Sequence, residues 1–370
     1  MADEQGPSMA DEQGPSMAPS MAGEKVSVLV MAPRLGSDLG YVAEVDPRVE
    51  VVDGNQAFQA ELVDQGVVPG PMPPQAPSRA DRDRLLDGAE VLLLGYPIPP
   101  RLAARSPSLR WAHHTQAGAS NLVASDLWHS SVPLTSSRGA VGATAIAEYV
   151  IAGVFHFARG LHEATRRAPG SALRRGNYRM TSVAGATMGV VGLGGIGGEV
   201  ARLARAVGMR VVATRWSVTK PETDDPRADL VLPASQLLEL AAQSDVVAVC
   251  SQLTPETHGL IDRRVFEAMK PGAVLINIAR GEEVDEAALL DAIGSGHLGG
   301  ALLDVYAGEL SGRPPRQELL EAPEIVMTPH VSTAGDLSGA EAARRLFVEN
   351  LRRYLAGDPL LNLVDRSRGY

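Results

Sequence analysis

From Lys25 onward the chain alternates short apolar runs with longer polar or amphipathic segments. Runs at 26–31, 49–52, 91–94 and 109–113 occupy the first third, and runs at 187–191, 209–214, 230–232, 245–250, 273–278, 301–305 and 325–327 follow later. These runs are continuous rather than alternating, as strands buried on both faces of a parallel sheet require. Between them lie segments with helical signals: residues 80–86, a helix from Ser235, helices starting near Asp262 and Asp285, and a strongly helical 339–355. The alternation predicts an α/β protein with two parallel-sheet domains, Rossmann-like or flavodoxin-like. An apolar helical pattern at 138–161 leads from the first domain to the second, and the proline-rich 69–77 reads as a surface loop. A helical segment at the chain's end commonly returns to an N-terminal domain. The expected division is therefore a discontinuous domain of 25–137 plus 333–370, and a second domain of 138–332. Residues 1–24 stand apart. MADEQGPS occurs twice in succession without apolar periodicity, which predicts a disordered tail.

The stretch 187–217, TMGVVGLGGIGGEVARLARAVGMRVVATRWS, holds a strand, a glycine turn, a helix and a second strand in one run. Gly192, Gly194 and Gly197 follow the strand at G-x-G-x-x-G spacing. The first allows a tight turn, the second lets backbone approach a pyrophosphate, and the third lets the helix sit close on the strand. Ile196, Val200, Leu203, Ala204 and Val207 then recur at helical spacing, so the helix's unpaired N–H groups would face the phosphates. The pattern predicts dinucleotide binding.

Composition narrows the function classes. With 370 residues and 45% apolar content, the chain can bury a large core. No apolar run approaches the roughly 20 residues of a membrane span, and the start lacks the basic-then-apolar order of a signal peptide. A lone Cys250 precludes an internal disulfide and fits a reducing compartment, so a cytoplasmic protein is expected. The formal charge of −10 argues against general nucleic-acid binding. Half of it comes from Asp3, Glu4, Asp11, Glu12 and Glu24, ahead of the first basic residue. No metal-ligand pattern is present.

Three residues stand just past the ends of late strands, where open parallel sheets place their ligands. They are Arg280 in INIARGEEVD, Glu309 in LLDVYAGE and His330 in EIVMTPH. Singly, each has a plain structural reading: a surface arginine, a loop carboxylate, a histidine in a turn. Together they form a working set. A guanidinium can grip a carboxylate at two points and polarise a carbonyl, a histidine can exchange a proton near neutral pH, and a carboxylate can orient that imidazole. The small-residue turn TQAGAS at 115–120 could present backbone N–H groups to an anion, or be only a tight connection. The basic residues Arg166, Arg167, Arg174, Arg175 and Arg179 read as a solvated face.

On these residues the sequence resembles the D-isomer-specific 2-hydroxyacid dehydrogenases, a family that includes D-lactate, D-3-phosphoglycerate, glyoxylate and formate dehydrogenases. The resemblance rests on GVVGLGGIG (189–197), SDVVAVCSQLTPETHGLI (244–261), KPGAVLINIARGEEVDEAAL (270–289), GALLDVYAGE (300–309) and TPHVST (328–333), and spans nearly everything after Lys25. It implies a substrate-binding and a nucleotide-binding domain with the active site in the cleft between them. It also implies hydride transfer between a nicotinamide cofactor and C2 of a 2-oxo acid or D-2-hydroxy acid. Arg280 would bind the substrate's carboxylate and carbonyl, His330 would be the acid/base, and Glu309 its partner. Asp304 would lie near the nicotinamide ribose or amide, Ile278, Ala279 and Arg280 would line the ring, and Gly195 with Ile196 would contact the pyrophosphate. Ala117, Gly118 and Ala119 match the turn whose N–H groups hold the substrate carboxylate, which favours the anion-binding reading there. By the same analogy a homodimer is expected, with the apolar helix at 143–157 contributing. The other function class on this fold is a nucleotide-sensing interaction protein resembling the family's corepressor relatives. The absence of a partner-peptide extension and of basic arms favours the enzyme.

Departures from the family pattern sharpen two expectations. Where most members carry an acid at the end of the second strand, this chain has Arg215, followed by Trp216 and Ser217. An acid would grip a ribose 2′-hydroxyl and an arginine would grip a 2′-phosphate, so NADP(H) is the expected cofactor and NAD(H) the alternative. Leu310 replaces the usual proline after Glu309, and Ser120 the usual aspartate of the carboxylate-binding turn. With the pair His113 and His114, and the arginines after Leu161, this leaves room for a second anionic group on the substrate.

Overall fold

The computed structural model describes residues 24–35, 38–68, 70–73, 76–139, 141–166, 178 and 180–367. The duplicated tail to residue 23, parts of the 69–77 loop, and Arg167, Arg174, Arg175 and Arg179 lie outside the described residues. The chain folds into two compact units. One takes the described residues up to Thr115 together with Leu122–Ser136 and Arg344–Val364; the other takes Gln116–Asn121, Ser137–Ala343 and the described residues from Asp365. The short excursion at Gln116–Asn121 belongs with the second unit because Arg280 hydrogen-bonds Ser120 and Asn121 there. The final switch falls inside the terminal helix Leu337–Ala356 rather than ahead of it.

The first unit is built on a parallel sheet of β1 (Val26–Met31), β2 (Val49–Asp53), β3 (Val91–Leu94), β4 (Trp111–His114) and β5 (Leu134–Ser136), in the order β2-β1-β3-β4-β5. This is the flavodoxin-like arrangement. Helix α1 (Asn55–Asp64) packs Phe58 into the core, and α2 (Arg79–Asp87) starts at a capping box in which the Ser78 hydroxyl accepts from the Asp81 N–H. Strand β5 is absent from the sequence reading. It has three residues, two of them hydroxylic, so no apolar run announces it, yet all three are buried. Its Thr135 hydroxyl accepts from Trp111 Nε1 at 2.9 Å and bonds His113 Nδ1 at 2.7 Å.

That sheet also corrects the reading of the paired histidines. His113 and His114 are both 0% exposed. His113 sits among Trp111, Phe347 and Thr135, and burial pushes its pKa down to about 3, so it is neutral and cannot supply charge to a second anionic group. Trp111 in turn stacks on Phe347 and Tyr354, ring centroids 5.4 and 5.7 Å apart, which ties the chain's last helix to this unit.

The second unit is a seven-stranded parallel sheet. Its strands are β6 (Thr187–Val191), β7 (Arg210–Arg215), β8 (Leu230–Pro233), β9 (Val246–Val249), β10 (Val274–Asn277), β11 (Gly300–Leu303) and β12 (Ile325–Met327), in the order β12-β11-β10-β9-β6-β7-β8. Helices α3 (Ala143–Ala158) and α4 (Gly195–Ala206) cover one face, packing Val150, Val154, Val200 and Ala204 on Val190, Val211, Ala248 and Ile276. Helices α5 (Leu237–Gln243), α6 (Arg263–Ala268) and α7 (Glu286–Gly294) cover the other, packing Leu240, Phe266 and Leu289 on Val191, Val212, Val249 and Leu275. Both faces are apolar because both are covered, which is why these strands read as unbroken runs. The chain fills one side of β6 with β7 and β8, then crosses back to place β9 through β12 on the other. Such a reversal leaves a crevice beyond the carboxyl ends of β6 and β9, where doubly wound sheets bind ligands.

Candidate active site

The glycine turn stands at that crevice. Gly192 has φ 96°, a left-handed conformation, and a Cβ there would lie 2.9 Å from the Ser251 backbone just past β9. At Gly197 a Cβ would lie 2.1 Å from the Gly192 carbonyl, so helix α4 can begin this close to β6 only without a side chain. A Cβ on Gly194, which precedes α4, would meet nothing within 4 Å. Beside it a cavity of about 580 Å³ is lined by Gly194, Gly195, Gly198, Arg202, Arg205 and Arg227, among others. Open backbone at the N-terminus of a 12-residue helix suits a dinucleotide's phosphates, whereas in the cavity lining Arg202 pairs with Glu199 and Arg227 with Asp225. Ile196 lies in the first turn of the same helix.

Arg215 ends β7, as anticipated, but its guanidinium is occupied. Nη1 donates to Asp225 Oδ2 at 2.8 Å and Nη2 to Glu222 Oε2 at 2.9 Å. Asp225 also takes Arg227, and that pairing, with Arg215 adding to it, holds the Asp225 carboxyl well below the usual carboxylate range. Among the described residues, Arg215 Nε has no hydrogen-bond partner. The acids reach Arg215 because the segment after β7 folds back through a bridge between Glu222 and Val231. Ser217 and Trp216 are exposed beside it, Trp216 at 74%.

Arg280 follows β10, past Ile278 and Ala279, which are both buried. Its Nη1 donates to the Ala279 carbonyl at 2.7 Å, its Nε to Ser120 Oγ at 3.0 Å, and its Nη2 to Asn121 Oδ1 at 3.4 Å. A Cβ on Gly118 would lie 2.2 Å from Arg280 Nη2, so the turn of Ala117, Gly118 and Ala119 rests against the guanidinium in this position without a side chain at Gly118. The serine that departs from the family's aspartate accepts from the Arg280 guanidinium.

Glu309 and His330 meet. His330 Nδ1 lies 2.8 Å from Glu309 Oε1, with the side chains 33% and 20% exposed. A carboxylate accepts only, so Nδ1 carries the proton towards Glu309 and Nε2 is the ring's outward nitrogen. His330 has φ 53°, uncommon for a residue with a side chain, and Asp304 maintains this turn. Asp304 is 0% exposed. Its Oδ1 accepts from Thr328 Oγ1 at 2.7 Å and from the Val331 N–H at 2.8 Å, its Oδ2 from the Ser332 N–H at 2.9 Å, and its carbonyl from the His330 N–H at 2.8 Å. Thr328 in turn accepts from the Tyr149 hydroxyl, whose pKa burial, aided by Asp304, pushes up to about 12. Asp304 is therefore engaged with the histidine's turn.

Several supporting residues escaped the sequence reading. Glu282 Oε1 accepts from the Gly308 N–H and Glu286 Oε1 from the Ala307 N–H, each at 2.9 Å, so the turn after Arg280 and the first residue of α7 hold the loop that ends in Glu309. That loop closes as a turn at Glu309–Ser311 between Gly308 and Gly312, both at positive φ, and Leu310 sits within it. The doubled acids of RGEEVDE were a visible signal. For Asn121 and Tyr149, whose partners lie 159 and 179 positions away, there was none.

Known proteins similar to this chain belong to one family. Residues 151–332 match the NAD binding domain of D-isomer specific 2-hydroxyacid dehydrogenases. The (S)-sulfolactate dehydrogenase of Chromohalobacter salexigens is 34% identical over 280 residues, covering 74% of this chain and 88% of that protein. The D-3-phosphoglycerate dehydrogenase of Mycobacterium tuberculosis is 33% identical over 305 residues, 78% of this chain but 54% of that longer protein. A solved D-isomer specific 2-hydroxyacid dehydrogenase from Xanthobacter autotrophicus, in complex with NADPH and MES, matches with a TM-score of 0.69 and 26% identity over 94% of this chain and 100% of that one. A switch-point glycine turn, an arginine past the β10 strand, a histidine–glutamate pair past the last two strands, and these relatives lead to one assignment: the chain belongs to the D-isomer specific 2-hydroxyacid dehydrogenase family, as an NAD(P)-dependent enzyme.

Proposed function

We propose that the enzyme reduces a 2-oxo acid to the D-2-hydroxy acid, with residues 138–332 holding the cofactor and residues 25–137 with 333–370 serving the substrate. The observation that carries this reading is the 2.8 Å pairing of His330 Nδ1 with Glu309 Oε1, which leaves Nε2 to exchange a proton with substrate. Arg280, aimed by Ser120, clasps the substrate carboxylate and carbonyl, helped by N–H groups of Ala117, Gly118 and Ala119. When bound, the nicotinamide supplies the hydride that reaches C2 of the substrate. His330 gives its proton to the C2 oxygen, Arg280 stabilises the negative charge developing there, and Glu309 steadies the imidazole throughout. Gly192, Gly194, Gly195, Ile196 and Gly197 would hold the pyrophosphate, and Ile278 with Ala279 would line the ring. Asp304 acts on His330 through the turn it organises.

NADP(H) is the proposed cofactor, through Arg215 with Ser217 beside it; the NADPH-bound Xanthobacter enzyme supports this. The named substrates of two relatives, sulfolactate and phosphoglycerate, favour an acid with a second anionic group. A homodimer is proposed through α3, where Phe155 is exposed, and light scattering tests it. The main test follows cofactor oxidation with glyoxylate, pyruvate, hydroxypyruvate and acids bearing a second anion. Turnover is expected, with His330→Ala lowering kcat by about a hundredfold or more while cofactor binding persists. Tight cofactor binding without turnover of any acid would sink the reading.

A further inference from the structure

Helix α3 carries a phenol that the mechanism above does not use. Tyr149 stands one turn ahead of Gly153, where a Cβ would lie 2.5 Å from Leu302 Cδ2 and 3.3 Å from Ile276 Cδ1, so this face of α3 rests directly on β10 and β11. The same helix reaches the His330 turn at both ends. At one end the Tyr149 hydroxyl meets Thr328 Oγ1. At the other, a Cβ on Gly142 would lie 2.6 Å from Thr333 Cγ2, and the Gly142 N–H donates to Asp336 Oδ2 at 3.1 Å. The hydrogen bonds at the first end run in one direction. Thr328 has a single hydroxyl proton and gives it to Asp304 Oδ1 at 2.7 Å, so its oxygen accepts from Tyr149. Burial pushes the phenol's pKa up to about 12, which keeps that proton in place at neutral pH. Asp304 passes the constraint on: its side chain accepts from the Val331 and Ser332 N–H groups and its carbonyl from the His330 N–H. His330 needs such support, because a side chain at φ 53° is strained and persists only where its neighbours impose it.

We propose that Tyr149 is a positioning residue for the proton transfer: through Thr328 it fixes the Asp304 side chain against the backbone of residues 330–332, and so keeps the His330 ring facing Glu309. The proposal rests on the acid/base role of His330 given above. A directed chain of hydrogen bonds holds orientation better than packing alone, because each member's donor and acceptor directions are set by the next. Without the phenol, Thr328 is free to turn away from Asp304, two N–H groups alone then hold the Asp304 side chain, and the strained turn relaxes. A slightly displaced imidazole still leaves the 2-oxo acid bound, so the loss falls on kcat rather than on KM.

The test compares wild type, Tyr149→Phe, Thr328→Val and Thr328→Ser with the 2-oxo acid turned over fastest. Tyr149→Phe keeps the ring and its packing, and is expected to lower kcat by about tenfold with KM within about twofold. Thr328→Val should do the same, and Thr328→Ser, which keeps the oxygen, should lose less. Combining Tyr149→Phe with Thr328→Val should cost no more than the worse single change, and Tyr149→Phe should have no further effect in a His330→Ala background, because all of them act through one imidazole. A second readout needs no turnover: hydrogen exchange followed by mass spectrometry on the peptide carrying Val331 and Ser332. Those amides should exchange about tenfold faster in Tyr149→Phe, while the amides of α3 keep their protection. A kcat within about twofold of wild type, a loss that persists undiminished in the His330→Ala background, or unchanged exchange at Val331 and Ser332 overturns the proposal. Failure of every 2-oxo acid to turn over would instead count against the reductase reading, and the exchange rates would still decide whether Tyr149 holds the turn.

Discussion

The sharpest quantitative test concerns Arg215, because the structure shows an arginine suited to a 2′-phosphate already held by two acids. A charge-assisted hydrogen bond to a phosphate contributes about 1.5–3 kcal/mol. To make it, Arg215 must loosen its pairing with Glu222, a partly exposed contact worth about 0.5–1 kcal/mol, while the nearly buried Asp225 can keep its hold on Nη1. The remainder, about 1 kcal/mol or somewhat more, predicts a wild-type preference for NADPH over NADH of about five- to thirtyfold in kcat/KM. Arg215→Asp removes the donor and puts a carboxylate against the phosphate. It should lower NADPH efficiency by about a hundredfold while leaving NADH use within about threefold, because the ribose 2′-hydroxyl gains an acceptor. Asp225→Asn acts in the opposite sense. It releases one arm of Arg215 and frees Arg227, so the NADPH preference should grow by about three- to tenfold. Steady-state kinetics with both coenzymes measures these ratios, and intrinsic fluorescence supplies the dissociation constants, since one of the three tryptophans, Trp216, is exposed next to Arg215. A wild type indifferent to the 2′-phosphate, or an Asp225→Asn variant with an unchanged coenzyme ratio, would refute the reasoning.

Two further predictions follow from the second unit. Asp304→Asn keeps an acceptor for Thr328 and Val331 but turns an amide N–H toward the Ser332 N–H, which should cost about 1–3 kcal/mol. Thermal unfolding should shift down and kcat should fall as the turn bearing His330 relaxes; an unchanged Tm and kcat would remove Asp304 from its positioning role. Buried Glu283 makes stability depend on pH. Its folded pKa of about 7 lies above the unfolded carboxyl value, so its favourable contribution is full below the unfolded value and is lost as pH rises through 7. Glu283→Leu should therefore gain on wild type by about 1–3 kcal/mol at pH 8 relative to pH 5, readable as a Tm difference that opens as pH rises. Parallel melting curves at the two pH values would contradict it.

How much of this was legible beforehand depended on the range of the forces involved. Strands such as β1, β3, β6 and β12 announced themselves because each is a local run of apolar residues, and the glycine spacing after β6 was legible because strand, turn and helix are contiguous. Arg280, Glu309 and His330 were visible as polar residues at strand ends. Strand β5 was hidden, since its burial comes from neighbours rather than from its own composition. His113 and His114 left room for a second anionic group in the sequence, yet both are buried, and His113 lies against Thr135 and against Phe347, far along the chain.

The identity of each chemical group, its place at a strand end and the order of the parallel strands' apolar runs were determined by the sequence itself, through local periodicity and backbone sterics. Only the tertiary structure decided the state of those groups. It pairs Arg215 with Glu222 and Asp225, sets Arg280 against Gly118 and Ser120, turns Asp304 onto the histidine's backbone and encloses Glu283 away from water. Charge, protonation and orientation depend on what surrounds a side chain within a few ångströms, and in a doubly wound sheet those surroundings come from segments far apart in the chain.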